Sequence, residues 1–238
     1  MFLRFDDRPS DSPYIERVWR GFGGEGGQFV SVAENRLELV VTRVPDFTMV
    51  TVRGPETRAT TIDCPPDGEW AAIRFRPGVH LPSLPTHLLV DGRDINLPVS
   101  DDGTFVLDGY RWPWPDLDNA EAYVARLARR GVIARDDSVE AALRGGGQPL
   151  TVRSVQRHFR RTTGMTHGQF RQIQRARLAT NLLRDGAPIL DTVHEAGYFD
   201  QAHLTRSLKV LIGQTPASIA RREAQLSFLY KTGASTSS

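Results

Sequence analysis

The chain has 238 residues, of which 39% are hydrophobic and 24% charged, which suits one large or two modest globular domains. No run approaches the roughly eighteen apolar residues of a membrane span, and the first residues lack the apolar stretch of a secretion signal, so we expect a cytoplasmic protein. Its single cysteine, Cys64, excludes an intramolecular disulfide and a cysteine-based zinc finger.

The formal net charge of +2 hides an uneven distribution along the chain. Residues 150–222 hold 12 basic and 4 acidic residues, a net charge of +8, whereas residues 1–149 hold 17 basic and 23 acidic residues, a net charge of −6. This split is typical of a protein in which one domain meets a polyanion and the other does not.

The first half of the chain shows short apolar and β-branched runs between Gly, Pro, Asn and Asp residues. The runs at 29–32, 37–41, 49–52 and 71–75 predict strands of a small barrel or sandwich. Two prolines in residues 110–116 lack the N–H that a strand ladder needs, so we expect this segment to end the β-domain near residue 117.

From residue 118 the pattern becomes helical. The apolar residues that recur at helical spacing are Ala120, Tyr123, Val124 and Leu127. This stripe predicts either a dimer or interdomain seam or, more commonly, a face packed on its own domain. A second short helix over 137–144 runs into Gly145, Gly146 and Gly147, a flexible break.

Residues 151–164 predict a capped helix with two distinct faces. Thr151 suits the N-cap and Gly164 the C-terminal stop, while Val152, Val155 and Phe159 form the buried stripe. The opposite face carries Arg153, Gln156, Arg157 and Arg160. Arginine can pair with guanine O6 and N7 and glutamine with adenine N6 and N7, so this face suits the major groove of DNA.

The same pattern recurs 49 residues later. The matching residues are Asp200 for Thr151, Leu204 for Val155, Leu208 for Phe159 and Gly213 for Gly164, and Ala202, Thr205, Arg206 and Lys209 lie on the exposed face. Thr166 and Thr215 can each cap the helix that follows, and Phe170 falls opposite Ile219. Agreement at caps, core, exposed face and stop indicates a structural repeat.

The second copy has the form of a helix-turn-helix unit. Pro188 opens a helix, and residues 196–199 make a tight glycine-containing connection into Asp200. Between the copies, residues 166–185 predict one helix about 30 Å long, close to the roughly 34 Å between successive major-groove faces. We expect its inward side to carry Phe170, Ile173, Leu178, Leu182 and Leu183.

Residues from about 137 to 225 resemble the DNA-binding domain of the AraC/XylS family of transcription regulators. The run GYFDQAHLTRSLK at 197–209, followed by GQTP at 213–216, is similar to the signature of that family's second unit. The resemblance implies base contacts from Arg153, Gln156 and Arg157 in the first unit, and from Gln201, Ala202, Thr205 and Arg206 in the second. The three glycines predict either a loosened first unit or a longer turn in it, and Leu208 stands where the family usually has an aromatic residue.

Two other function classes remain open at this stage. A non-specific architectural protein would also bind DNA, but it would contact only phosphates. A metal-dependent barrel enzyme fused to a helical domain needs clustered ligands, whereas the β-rich region offers only His80 and His87 in a proline-broken loop. The sequence also contains no Gly-x-Ser-x-Gly or phosphate-loop motif.

We therefore predict an α+β protein of two domains that regulates transcription and is not an enzyme. The predicted parts are a β-barrel or sandwich-like sensor domain at 1–117, a helical linker at 118–147, an all-α double helix-turn-helix domain at 148–225 and a flexible tail at 226–238. The expected partners are double-stranded DNA, RNA polymerase, a small-molecule effector and a second copy of the chain. We assign no catalytic residue, metal or cofactor, and no effector site, since core packing is the better interpretation for Trp70, Phe75, Trp112 and Trp114.

Overall fold

The computed structural model describes residues 3–115, 117–143 and 152–223, without the side chains of residues 3, 152, 153 and 155. Predictions that fall on residues 144–151 and 224–238, among them the Thr151 cap, the three-glycine break and the tail, lie outside these ranges. The same holds for the predicted buried side chains of Val152 and Val155 and for the Arg153 side chain.

The strands and helices follow in chain order. The strands are β1 (Leu3–Pro9), β2 (Ile15–Gly23), β3 (Gly27–Ser31), β4 (Glu38–Val44), β5 (Phe47–Arg53), β6 (Thr60–Cys64), β7 (Glu69–Phe75), β8 (Val79–His80), β9 (Ile95–Leu97), β10 (Val99–Ser100), β11 (Thr104–Leu107), β12 (Tyr110–Pro113) and β13 (Ala134–Arg135). The helices are α1 (Ala120–Arg129), α2 (Asp137–Leu143), α3 (Val152–Thr163), α4 (His167–Arg184), α5 (Ile189–Glu195), α6 (Gln201–Leu211) and α7 (Pro216–Ala220).

An antiparallel six-stranded sheet in the order β1-β2-β7-β4-β5-β9 forms the centre of the β-domain. The strands β10, β11 and β12 form a second sheet, and β3 pairs with β6 in a separate two-stranded sheet. The described sheets are open, so the domain is sandwich-like. The α+β class is confirmed, and the four predicted strands are present as β3, β4, β5 and β7.

The six-stranded sheet has two different faces because side chains alternate along each strand. Leu39, Val41 and Ile73 point to a core that also contains Phe105 of β11 and Leu127 of α1. The apolar stripe of α1 is thus buried against the β-domain. The domain limits at residues 117 and 147 stay a prediction.

The segment after residue 109 departs from expectation. Tyr110–Pro113 continues a ladder, with Trp112 opposite Phe105 of β11, so the prediction that its prolines prevent pairing is wrong. The reason is position: β12 is the edge strand of its sheet and Pro113 is its last residue, where the missing N–H is tolerated.

The helical domain packs α5, α6 and α7 around the long helix α4. Phe170, Ile173 and Leu183 are buried as predicted, and Leu182 is half-buried. Leu178 was predicted to face inward, but it is 47% exposed. At about 100° per residue it lies roughly 140° round the helix from Ile173, and the smaller Ala176 and Ala179 take the inward positions.

Three observations concern the other function classes. Among the described residues, no helix is both long and apolar enough to cross a membrane. Within the same ranges, no three His, Cys, Asp or Glu side chains lie together as potential metal ligands. His80 is half-buried with Nδ1 3.2 Å from the carbonyl of Gly78, and burial raises the pKa of the Cys64 thiol to about 11.

Candidate nucleic-acid interface

The two predicted recognition helices begin at equivalent positions of the repeat. The helix α3 begins at Val152 and α6 at Gln201, 49 residues later. Each ends before a glycine in the left-handed region, Gly164 with φ +70° and Gly213 with φ +78°, where an L side chain is strained. The repeat read from the sequence is therefore present in the backbone.

The helices that follow are also equivalent. The hydroxyl of Thr166 accepts the Gln169 N–H at the start of α4, and the hydroxyl of Thr215 accepts the Ser218 N–H at the start of α7. The buried residues that correspond between the copies are Phe159 with Leu208 and Phe170 with Ile219. Equivalent caps and core positions give both copies the same local geometry.

On α3, the predicted DNA-facing side chains that the structure describes point to solvent. Gln156, Arg157 and Arg160 are exposed, as is the adjacent Arg161. Arg153 lies outside the described side chains. The exposed cations on this helix give it a positive outer face that can approach phosphates and base edges.

On α6, Gln201, Ala202, Arg206 and Lys209 are exposed. Thr205 is half-buried, and its hydroxyl donates to the Gln201 carbonyl at 2.8 Å. That internal bond engages the hydroxyl proton, which leaves the oxygen's remaining acceptor capacity and the methyl group for a partner. The remaining four side chains form the outer face of α6.

Within the described part of the chain, the cations on these faces form no ion pair. None of the ion pairs among the described residues involves Arg157, Arg160, Arg206 or Lys209. Other arginines of the same domain are engaged: Arg177 pairs with Glu34 and Arg175 stacks 4.6 Å from the ring centre of Tyr198. Charges without a protein partner are the ones that can replace counterions on a DNA backbone.

The position of α6 is held by its first turn and by one buried aromatic residue. The carboxylate of Asp200 accepts the His203 N–H at 2.6 Å, which fixes the N-terminus. Tyr198, reached through Gly197 with φ +70°, is 6% exposed, and its hydroxyl lies 3.1 Å from that of Ser207. These contacts orient the exposed face of α6 relative to α4.

The position of α3 is held by aromatic packing and one side-chain hydrogen bond. The ring of Phe159 packs edge-on against Phe170 at 5.3 Å and against His167 at 5.1 Å. On the other side, Nδ1 of His158 lies 2.8 Å from the carboxylate of Asp136, just before α2.

The β-domain contacts the helical domain directly, which sequence reasoning did not anticipate. The backbone N–H groups of Ala33 and Ala59 donate to the last two carbonyls of α6, those of Leu211 and Val210, both at 2.8 Å. These carbonyls have no partner within their own helix, so the bonds satisfy groups that would otherwise need water. A Cβ on Gly213 would lie 3.1 Å from Val30, which shows how closely the two domains approach.

An ion-pair network reinforces this contact. Arg177 of α4 donates to both carboxylate oxygens of Glu34, at 3.0 and 3.2 Å. Glu34 also contacts Arg74, whose Nε donates to Glu38 at 2.8 Å. The guanidinium of Arg36 stacks 4.9 Å from the ring centre of Phe170. The helix α4, which joins the two recognition helices, is therefore attached to the β-domain.

Comparison with known protein families matches residues 149–222 to a model described as a helix-turn-helix domain, of the AraC type. Residues 149–222 therefore form a helix-turn-helix domain of the AraC type. The AraC-type domain covers α3 to α7, so the matched range includes both recognition helices and the helix α4 between them. Comparison with curated proteins and with solved structures gives no significant match.

The AraC-type domain makes the protein a DNA-binding transcription regulator. A domain of this type is typical of regulators without enzymatic activity. Which side chains touch DNA stays a prediction, and the exposed residues of α3 and α6 are the candidates.

Proposed function

We propose that the protein recognises a specific DNA sequence by placing α3 and α6 in successive major-groove faces on one side of the duplex. The observation that carries this proposal is the matched pair of exposed faces, whose cations have no acidic partner among the described residues. The 18 residues of α4 span about 27 Å, which leaves the two helices within reach of grooves roughly 34 Å apart.

Arg206 is the residue on which we test sequence-specific reading. It lies in the middle of the exposed face of α6, where a guanidinium can pair with both acceptors of a guanine. We expect Arg206→Ala to weaken binding to the preferred site by about 1–3 kcal/mol and to relax the preference at one base pair. Arg129→Ala, which removes an exposed cation from α1 in the β-domain, should leave affinity and preference unchanged.

The preferred site is obtained by selecting bound fragments from random DNA at two salt concentrations, and affinities are then measured by fluorescence anisotropy. A loss that is equal on all sequences, with a salt slope lowered by about one, would assign Arg206 to a phosphate. Selection without any enriched sequence would support the architectural protein instead of the specific regulator.

We further propose that the N-terminal domain modulates DNA binding. This rests on the direct attachment of the β-domain to α4 and α6. A change at Ala33 or Ala59 acts on α6, which carries predicted DNA-facing side chains, and a change at Glu34 acts on α4, which joins the two recognition helices. Binding of RNA polymerase, formation of a homodimer and a cytoplasmic location stay predictions from the sequence.

A further inference from the structure

The β-domain contains a cavity of about 290 Å³ between the second face of the six-stranded sheet and the two-stranded sheet of β3 and β6. Strand alternation sends Glu38 and Thr42 of β4 into this space, while Leu39 and Val41 point to the core on the other face. The volume is close to the lower end of the range for small-molecule sites, so it suits a ligand of modest size.

The walls of this cavity are rich in aromatic rings. The aromatic residues that line it are Phe5, Trp19, Phe29, Phe47 and Trp70. Aliphatic side chains such as Val44, Met49 and Ile62 complete the apolar surface. Such walls favour a ligand with an apolar body, and the electron-rich faces of the rings also attract an organic cation.

The polar lining of the cavity is predominantly acidic. Four carboxylates line it, those of Glu34, Glu38, Glu56 and Asp63, against the guanidinium groups of Arg53 and Arg74. Both arginines are already paired, Arg74 with Glu34 and Glu38, and Arg53 with Asp94 at 3.3 Å. The cavity therefore offers little to an anionic ligand.

Glu56 differs from the other acidic residues of the cavity. Its carboxylate accepts a hydrogen bond from the Ser31 hydroxyl at 2.9 Å, and it takes part in none of the ion pairs among the described residues. Burial raises the pKa of Glu56 to about 6, in opposition to the Ser31 bond and the charge of Arg53, which both lower it. At neutral pH the cavity thus holds a largely buried negative charge, and the one side chain that the described residues show bonded to it is the neutral Ser31.

We propose that this cavity binds a small organic ammonium compound with an apolar body, whose cationic group pairs with Glu56 among the aromatic walls. The proposal deepens the proposed modulation by the N-terminal domain and rests on it for its effect on DNA binding. Binding itself depends only on the cavity.

Glu34 links the cavity to the DNA-binding domain. Its backbone pairs with that of Glu56 through two hydrogen bonds of 2.9 and 2.8 Å, and its carboxylate both lines the cavity and holds Arg177 of α4. A cation bound beside Glu56 also attracts the carboxylate of Glu34 and so competes with Arg177 for that carboxylate. We therefore expect the bound ligand to weaken the attachment of α4 to the β-domain.

The test uses the full chain and three matched sets of small compounds with aryl or alkyl bodies. One set carries primary to quaternary ammonium groups, the second neutral hydroxyl groups and the third carboxylates on the same bodies. Thermal stabilisation and quenching of tryptophan fluorescence report binding, because Trp19 and Trp70 line the cavity. We expect at least one ammonium compound to bind tenfold more tightly than its neutral and anionic counterparts.

Glu56→Gln should abolish that preference for charge, whereas Glu25→Gln, on the exposed surface outside the cavity, should retain it. Met49→Trp, which fills the cavity, gives a second variant that should lose binding. Absence of binding by every ammonium compound, or equal binding of charged and neutral members, would overturn the proposed ligand class.

These measurements need no DNA, so they are independent of whether the DNA-binding proposal holds. Coupling is then measured by DNA affinity with and without the ammonium ligand. We expect a change of at least threefold in the wild type and none in Arg177→Ala. A ligand that binds the cavity but leaves DNA affinity unchanged would overturn the Glu34 link and leave the site intact.

Discussion

The ion pair between Glu34 and Arg177 is the contact whose removal tests the attachment of the two domains most directly. Both side chains are mostly buried, with 11% of Glu34 and 19% of Arg177 exposed, and the two bonds between them form a bidentate pair. Arg177→Ala removes both bonds and the packing of the side chain. The carboxylate of Glu34 keeps its contact with Arg74, so no buried charge is left alone.

The expected cost follows from that geometry. Breaking a buried pair and stranding the partner costs about 3–5 kcal/mol, whereas a hydrogen bond to a charged group contributes about 1.5–3 kcal/mol. Because Arg74 still compensates Glu34, we expect a loss of about 2–3 kcal/mol. For a chain of this size that loss lowers the melting temperature by roughly 5–10 °C.

Differential scanning calorimetry gives the measurement. In the wild type we expect the helical domain and the β-domain to unfold together, and in Arg177→Ala we expect the helical domain to unfold first, at a lower temperature. Arg171→Ala is the matched control, since Arg171 is exposed on the same helix and forms none of the ion pairs among the described residues. Its effect should stay within about 0.5 kcal/mol.

Equal melting temperatures for Arg177→Ala and Arg171→Ala would show that the ion pair contributes nothing to the attachment. A double-mutant cycle with Glu34→Gln and Arg177→Met separates the pair from the other contacts of each residue. A coupling energy near zero would refute the role assigned to this pair even if each single variant is destabilised.

Three further predictions concern stability. The folded state holds the proton of Glu56 more tightly than the unfolded state does, because the pKa of Glu56 is raised to about 6. The free energy of unfolding of the wild type should therefore fall by at most about 2 kcal/mol as pH rises from about 4.5 to about 6. Urea titrations of Glu56→Gln should lack that fall. Gly213→Ala places a Cβ at φ +78° and 3.1 Å from Val30, so thermal melts should show a loss of about 1–2 kcal/mol, whereas Gly168→Ala in open helical space should gain about 0.5–1 kcal/mol. Asp200→Ala removes the N-cap of α6 and should cost about 1 kcal/mol, measured by circular dichroism during urea unfolding.

The helical domain was largely predictable because its signals are local. Caps such as Thr166 and Asp200 and stops such as Gly164 and Gly213 act within a few residues, so a single sequence shows them. The 49-residue repeat then strengthened each signal by its second occurrence. Leu178 was wrongly predicted to face inward. Two inward positions of α4 are occupied by Ala176 and Ala179, and such small residues add little to an apolar pattern read from the sequence.

The β-domain was less predictable because its pairings are long-range. The strands β1 and β2 contain several charged residues, among them Asp6, Asp7 and Arg17, so apolar alternation did not reveal them. Their strand conformation depends on the ladder that β2 forms with β7, whose paired residues lie 47 to 60 positions apart in the chain. The cavity depends on the same pairings. Of the four aromatic residues that the sequence offered for a pocket, Trp70, Phe75, Trp112 and Trp114, only Trp70 lines this cavity.

Net charge also proved an incomplete guide to the DNA-facing surface. The basic residues of 150–222 include Arg175 and Arg177, which are engaged with Tyr198 and Glu34 inside the protein. Their role is to join elements of the fold. The charge available to DNA is therefore smaller than the count of basic residues indicates, and it is concentrated on α3 and α6.

The two bonds from Ala33 and Ala59 to the end of α6 use main-chain atoms only. Side-chain substitution at either alanine leaves both donors in place, whereas proline would remove one. Ala33 is also fully buried in the core that contains Leu208 and Leu211, so only a small side chain fits at that position. A chimaera that joins the AraC-type domain to a foreign sensor would have to present two amide donors at the same spacing. Without them, the final carbonyls of α6 would lose these partners, so compatibility depends on loop backbone geometry as well as on the residues that pack there.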